Sequence, residues 1–465
     1  MMPEMCLTDA ALRFGGTLLN PDGCFSAVSI NSRTTNTGDL FVAIQGENVD
    51  AHRYLPNVAD KVSGAVVSRH DKTLNIPQWV VQDTTKALGD LAQLRRERFE
   101  GTVIALTGSS GKTSVKEAIS MILSQENNVH ITSGNLNNHF GVPLTLLAMD
   151  SLAEIAVIEM GASAVGEIDY LCSIAKPDVA LVNNAQTAHI EGFGSLEAIA
   201  LAKAEIYQSL RVDGTAVLNL DQPWIAQWLD IIGNRNCISF SLIDPSANLF
   251  AKNITDTGDG YFSFVLCIMP KQGEPSEESA VRLNNPGVHS ISNALAAAAC
   301  AFAVGASLAE IIRGLENTLL IPGRLQRKVL SRKSVVIDDS YNANPESFKA
   351  AIDVLSMSSS YRILVMGDMG ELGEQTEELH REVGGYAKKL QIDALYSVGA
   401  NSAIASKEFM GQHFPTQRSL IDSLKVKIIE LEASHENITI LVKGSRSSSM
   451  EHIVQALISG EKSSC

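Results

Sequence analysis

The 465-residue chain has no closely spaced cysteine pair: Cys6, Cys24, Cys172, Cys237, Cys267, Cys300 and Cys465 are odd in number and never form CxxC. Neither a disulfide framework nor a structural zinc site is therefore expected, and a reducing cytoplasm fits this usage best. Basic charge is also in short supply. Lys plus Arg number 37 against 52 Asp plus Glu, a net charge of -15. Such a surface repels a polyphosphate backbone at long range, which argues against nucleic acid as a partner. A small phosphate ligand stays admissible, because a few local cations and helix N-terminal amides can hold one inside an acidic protein. Long apolar runs are missing too: the most apolar stretch, 294–306, falls short of the ~20 residues a bilayer crossing needs, so no membrane insertion is expected. The first twelve residues carry Glu4 and Asp9 and lack a basic segment followed by an apolar one, which argues against a signal peptide. No repeat of fixed period runs through the chain.

What is present is ordinary globular composition, with 45% hydrophobic and 19% charged residues. At roughly 150 residues per domain the length predicts about three domains. Residues 1–85 read as a small α+β unit, with short apolar runs at 40–44, 64–67 and 79–81 between polar turns. From Thr102 the pattern becomes apolar strand, glycine turn and helix, with further strands predicted at 155–160, 179–183 and 215–218. Residues 86–317 therefore read as an α/β unit with a mainly parallel sheet. Weak alternation between Asn248 and Pro286 predicts a small antiparallel insertion before a helix beginning near His289. Strands predicted at 334–338, 362–366, 394–398 and 438–442 alternate with helix-period segments, so 318–465 reads as a doubly wound, Rossmann-like unit. The three-domain α/β chain carries a hinge at Pro322-Gly323, about which the second and third units can close on a shared ligand.

The most specific motif is Gly108-Ser109-Ser110-Gly111-Lys112-Thr113-Ser114, placed after a strand and opening a helix. Its glycines let backbone N–H groups approach phosphate oxygens, Lys112 neutralises charge, and Thr113 can offer its hydroxyl to Mg2+. Leu106 stands where a strict Walker A has its first glycine, so the loop is a shortened form; a chance Gly/Ser turn is the bland alternative. Glu159 closes an apolar strand at the edge where open α/β sheets collect ligands, and is either a metal ligand or a solvated strand end. Spacing assigns nothing to His189, in a polar glycine-containing segment, or to Lys203, a position that reads as a solvated helix face. Asn138 lies in an amide-rich loop, His289 and Asn293 share a helix face, and Arg324 follows the Pro-Gly hinge.

Together, TGSSGKTS (107–114), GNLNNHFGVP (134–143), VIEMGAS (157–163), NNAQTAHIEGFGS (183–195), AKAEIY (202–207), HSISNALAAA (289–298) and PGR (322–324) resemble the Mur ligase family, ATP-dependent amide-bond-forming enzymes of cytoplasmic peptidoglycan precursor synthesis. The resemblance spans nearly the whole chain. DSYNANP (339–345), GDMGELG (367–373) and VKGSR (442–446) look like the branch that adds D-alanyl-D-alanine to UDP-N-acetylmuramoyl-tripeptide, and the DNPR-like segment of the diaminopimelate-adding branch is missing. The resemblance implies ATP and two Mg2+ as cofactors. It places Lys112, Glu159, His189 and Lys203 in the catalytic centre, with Thr113, Glu159, His189 and a carbamylated Lys203 as metal ligands. Residues 108–114, Asn138 and Arg324 are implied to serve the phosphates, and His289, Asn293 and Asp339 the adenosine. Ser32, Arg33, Gly46 and His52 fall in segments that recognise the UDP end, where Asn31 and Ala51 depart from the usual Asp and Gly. Asn342 and Asn344 are taken for the dipeptide. The implied protein is a monomer. Sister amide ligases with another acceptor, and a P-loop ATPase or nucleotide sensor, remain the competing readings.

Overall fold

The computed structural model describes residues 4–20, 22–46, 48–188, 190–269, 276–434 and 437–459. Three separate sheets organise them, alongside one two-stranded pair. The first large sheet runs in the order Thr17–Leu19, Gln78–Val80, Gly64–Val67, Leu40–Val42, Val28–Ser29. Only its first pair is antiparallel; the remaining three are parallel. The unbroken burial of Leu40–Val42 and Gly64–Val67 follows, since a parallel strand covered on both faces must be apolar throughout.

One expectation fails here. Cys6 and Cys24 form a disulfide. They are direct partners across the antiparallel pair Met5–Cys6 and Cys24–Phe25, and strands of two residues leave no periodic trace by which pairing across 18 positions could be read.

The central sheet has nine strands, in the order Glu277–Arg282, Tyr261–Ile268, Leu249–Gly258, Asn236–Ser241, Thr215–Asn219, Val179–Val182, Thr102–Thr107, Ile155–Glu159, Val129–Ile131. Alternation along Thr102–Thr107 assigns its two faces. Val103 and Ala105 join the core that holds the helices Thr84–Glu97 and Leu196–Gln208, while Ile104 and Leu106 join the core built on Lys112–Leu123 and Val288–Ala303. The segment expected as an antiparallel insertion at 248–286 is antiparallel within itself, but it extends this same sheet. Leu249 and Phe250 pair in parallel with Phe240 and Ser241, and the next two strands add on as a meander.

Helix Thr84–Glu97 begins where the first unit was expected to end, and its cap is local: Asp83 accepts N–H bonds from Thr85 and Lys86. Arg96, 7% exposed, fastens this helix to the central unit. It donates to the carbonyls of Ala175, Phe99 and Lys176 and pairs with Asp178 at 3.0 Å.

The third sheet runs Gln326–Val329, Ser334–Asp339, Ile438–Lys443, Tyr361–Met366, Ala394–Val398, Gln412–Phe414, antiparallel at its first pair and parallel thereafter. Among the described residues no helix is long and apolar enough to cross a membrane.

Candidate active site

Strand Thr102–Thr107 lies between Ile155–Glu159 and Val179–Val182, so neighbouring connections leave it to opposite sides and open a crevice at its C-terminal end. The glycine turn 108–111 fills that position. Gly111 caps helix Lys112–Leu123 with φ +77°, and an added Cβ would stand 2.4 Å from Asn293 Oδ1 and 2.7 Å from Asn183 Nδ2. Only glycine fits there. The crevice widens into a cleft of about 720 Å3 shared between the central and third units, and residues 109–114 line it.

Lys112 folds back so that Nζ donates to Gly108 O at 2.7 Å. Burial pushes its amine below the ordinary lysine range; Glu159 opposes that shift and Arg324 adds to it. Glu159 is 2% exposed. Its Oε1 accepts from Asn137 Nδ2 at 2.8 Å, while Oε2 is buried with no hydrogen-bond partner among the described residues. Lys203, read from periodicity as a solvated position, is 2% exposed. Burial, with the nearby Lys112 charge, pushes its amine down to about 7. His189 lies outside the described residues.

The third unit reaches into the same cleft. Arg324 donates through Nη2 to Thr113 Oγ1 at 2.9 Å, and its guanidinium stacks 4.4 Å from the Tyr341 ring centroid. A second link joins Arg327 to Asp259 at 2.9 Å. His289, Asn293 and Asp339 all line the cleft. Burial lowers the His289 pKa, with Asp339 opposing the shift and Lys443 assisting it. Asp339 is held at both oxygens, by the Leu325 N–H at 3.1 Å and by Lys443 Nζ at 2.6 Å; Lys443 also donates to Asn342 O at 2.9 Å. Sequence reasoning did not select Lys443 as a site residue, although a lysine ending an apolar strand beside Gly-Ser-Arg is a visible signal.

Several expected ligand residues already have local work. Asn344 caps helix Pro345–Ser356 by accepting from Ser347 N–H at 2.8 Å, and Asn138 Oδ1 accepts from the Phe140 and Gly141 N–H groups. Asn342 Oδ1 accepts from the Ala343 N–H, and its residue is exposed at the cleft. Ser32, Arg33, Gly46 and His52 belong to the first unit and do not line the cleft. His52 is enclosed there: Nδ1 meets Asp50 Oδ1 at 2.6 Å and Nε2 accepts from Ser68 N–H at 2.9 Å.

The glycine turn with Lys112 and Thr113, the buried carboxylate of Glu159 and Arg324 arriving from the third unit meet at one cleft. The family model described as the Mur ligase middle domain matches residues 106–301, and the Mur ligase, glutamate ligase domain matches 323–446. The chain belongs to the Mur ligase family. It is 44% identical over 443 residues to the UDP-N-acetylmuramoyl-tripeptide–D-alanyl-D-alanine ligase of Escherichia coli (strain K12), covering 95% of this chain and 96% of that protein. Among solved structures, MurF from Acinetobacter baumannii superposes with a TM-score of 0.92 at 34% identity, covering 98% of this chain and 99% of that one. MurF ligase from Thermotoga maritima, solved in complex with ADP, superposes with a TM-score of 0.80 at 26% identity over 93% of this chain and 97% of that one. This Mur ligase has the family's multi-domain α/β fold.

Proposed function

We infer that this Mur ligase joins D-alanyl-D-alanine to UDP-N-acetylmuramoyl-tripeptide at the expense of ATP, in the cytoplasmic assembly of peptidoglycan precursors. The observation that carries the reading is the shared cleft: Lys112 and Thr113 of the loop face Arg324 of the third unit across one cavity. A carboxylate is a poor electrophile, so amide formation needs it activated. A terminal carboxylate oxygen of the tripeptide attacks the γ-phosphorus of ATP, the bond to ADP breaks, and an acyl phosphate results. The amine of the dipeptide then attacks the acyl carbon, loses a proton, and inorganic phosphate departs.

Lys112, released from Gly108 O, and Arg324, held over Thr113 by Tyr341, supply positive charge where it develops on the transferring group. His289, Asn293 and Asp339 take the adenosine, and Lys443 holds Asp339 in place. Ser32, Arg33 and Gly46 serve the UDP end, with His52 shaping that loop through Asp50 and Ser68. Asn342 is the third unit's exposed amide for the dipeptide. Closure about Pro322-Gly323 brings the two reacting ends together.

The partnerless Oε2 of Glu159 and the Thr113 hydroxyl are hard oxygen donors suited to a divalent cation. Mg2+, when bound, neutralises charge on the phosphate oxygens. A second Mg2+ is assigned to His189 and a carbamate on Lys203. A buried amine with a large neutral fraction can add CO2 and lose a proton, becoming an oxygen ligand, and carbon-13 bicarbonate labelling tests for it. Hydroxylamine added with ATP and the tripeptide, before any dipeptide, traps the acyl phosphate as a hydroxamate. Failure to form hydroxamate while ligation proceeds contradicts the scheme.

A further inference from the structure

The shortened nucleotide loop is completed by a second segment, the exit of strand Val179–Val182. Asn184 pairs with Ser110 as one peptide pairs with another: the Ser110 N–H donates to Asn184 Oδ1 at 2.9 Å, and Asn184 Nδ2 donates back to Ser110 O at 3.1 Å. The Ser109 N–H donates to Asn184 O at 3.1 Å. Gln186 continues the strap, its N–H donating to Ser109 Oγ at 2.9 Å and its Oε1 accepting from Ser110 Oγ at 2.6 Å. Asn183 Nδ2 reaches both Ser110 O and Asn293 Oδ1 at 3.0 Å. The approach is tight enough that a Cβ on Gly108 would lie 3.1 Å from Asn183 Cβ and 3.4 Å from Asn184 N.

These bonds divide the loop in two. The N–H groups of Ser109 and Ser110, expected to face phosphate, are committed to the strap. Those heading helix Lys112–Leu123 lack intrahelical acceptors and are the ones aimed at the ligand. We propose that Asn184 is a positioning residue for ATP: its side-chain amide fixes the Ser110 peptide, and through it the left-handed turn at Gly111 that points the following N–H groups into the cleft. The strap holds the stretch between Gly108 and Gly111 to a single conformation through side-chain and backbone bonds. The proposal rests on the ATP-dependent reading of the cleft and adds a residue to it.

The test compares Asn184→Ala, Asn184→Asp and Lys112→Ala with the parent enzyme, measuring ATP binding by calorimetry, KM for ATP and for the tripeptide, and thermal midpoint. Asn184→Ala should weaken ATP about tenfold, the factor 1.4 kcal/mol carries, with tripeptide KM unchanged. Asn184→Asp keeps the size and the acceptor but loses the donor and faces Ser110 O with a carboxylate, so it should weaken ATP at least as much. If the alanine variant fails to fold, the aspartate variant carries the test alone. Parent-like ATP affinity in Asn184→Asp, or an equal rise in both substrates' KM values, overturns the proposal while Lys112→Ala still abolishes ATP binding. Unchanged ATP binding in Lys112→Ala overturns the reading of the cleft instead.

Discussion

Replacing Gly111 with alanine probes the nucleotide loop at its tightest point. The backbone sits at φ +77° and the new methyl would enter the gap between Asn293 Oδ1 and Asn183 Nδ2, 2.4 and 2.7 Å away. Holding an L-residue in the left-handed region costs roughly 1–2 kcal/mol. Parting the two asparagine side chains, bonded to one another at 3.0 Å, forfeits about 1 kcal/mol more. The loop can relieve both by leaving its turn, which leaves the sheet intact and spoils the ligand-facing N–H groups. About 2–3 kcal/mol of distortion should therefore appear as roughly 30- to 150-fold weaker ATP binding, measured by calorimetry alongside thermal unfolding. Gly38→Ala is the control, since Gly38 has φ +89° with nothing within 4 Å of its Cβ position. It should lose a little stability and no ATP affinity. ATP binding by Gly111→Ala within threefold of the parent would mean that the turn at Gly111 does not position the ligand-facing N–H groups.

Four other outcomes follow from the same geometry. Arg96→Met leaves Asp178 without its buried partner and frees helix Thr84–Glu97 from three carbonyls; urea unfolding should show a loss of about 3–5 kcal/mol. Glu159→Gln keeps an amide-compatible contact to Asn137 but removes the charge at the partnerless oxygen; Mg2+ titrations of ADP release should show at least a tenfold higher half-saturating concentration. Arg324→Lys loses the bond to Thr113 and the stack on Tyr341, and kcat should fall about tenfold or more with tripeptide KM little changed. Burial raises the Asp50 pKa, but hydrogen bonds from His52 and Arg69 outweigh that and hold it at about 2. Its contribution is complete above the unfolded value of 3.8 and is lost as pH falls from there toward 2. With solvent screening, Asp50→Asn should cost the first unit on the order of 1 kcal/mol at pH 7, and the difference from the parent should vanish in acid.

The sequence exposes those elements whose patterns are local and long. Strand Thr102–Thr107 and helix Lys112–Leu123 were readable from apolar runs and a glycine turn, and the loop between them from its residue types. The pairing that joins Leu249–Gly258 to the main sheet involves only two residue pairs, so a segment with its own alternation reads as an insertion. Helical period tells that Lys203 lies on a face but not what covers that face. The amides of Asn183 and Asn184 are plain in the sequence, yet the Asn184 partner at Ser110 lies 74 positions upstream, and only the parallel pairing of two strands brings them together. The resemblance implies ligand roles for Asn344 and His52, and the structure adds what no motif spells out: Asn344 caps a helix at the edge of the cleft and the His52 ring is enclosed by Asp50 and Ser68.

The most direct measurement is ADP release by the purified protein with ATP, Mg2+ and UDP-linked tripeptide, comparing D-alanyl-D-alanine with single amino acids as acceptor. Release that depends on the dipeptide and yields the pentapeptide product is the predicted result. Release driven by a free amino acid would move the enzyme to a sister branch, and ADP release independent of any amine would contradict the ligase account altogether.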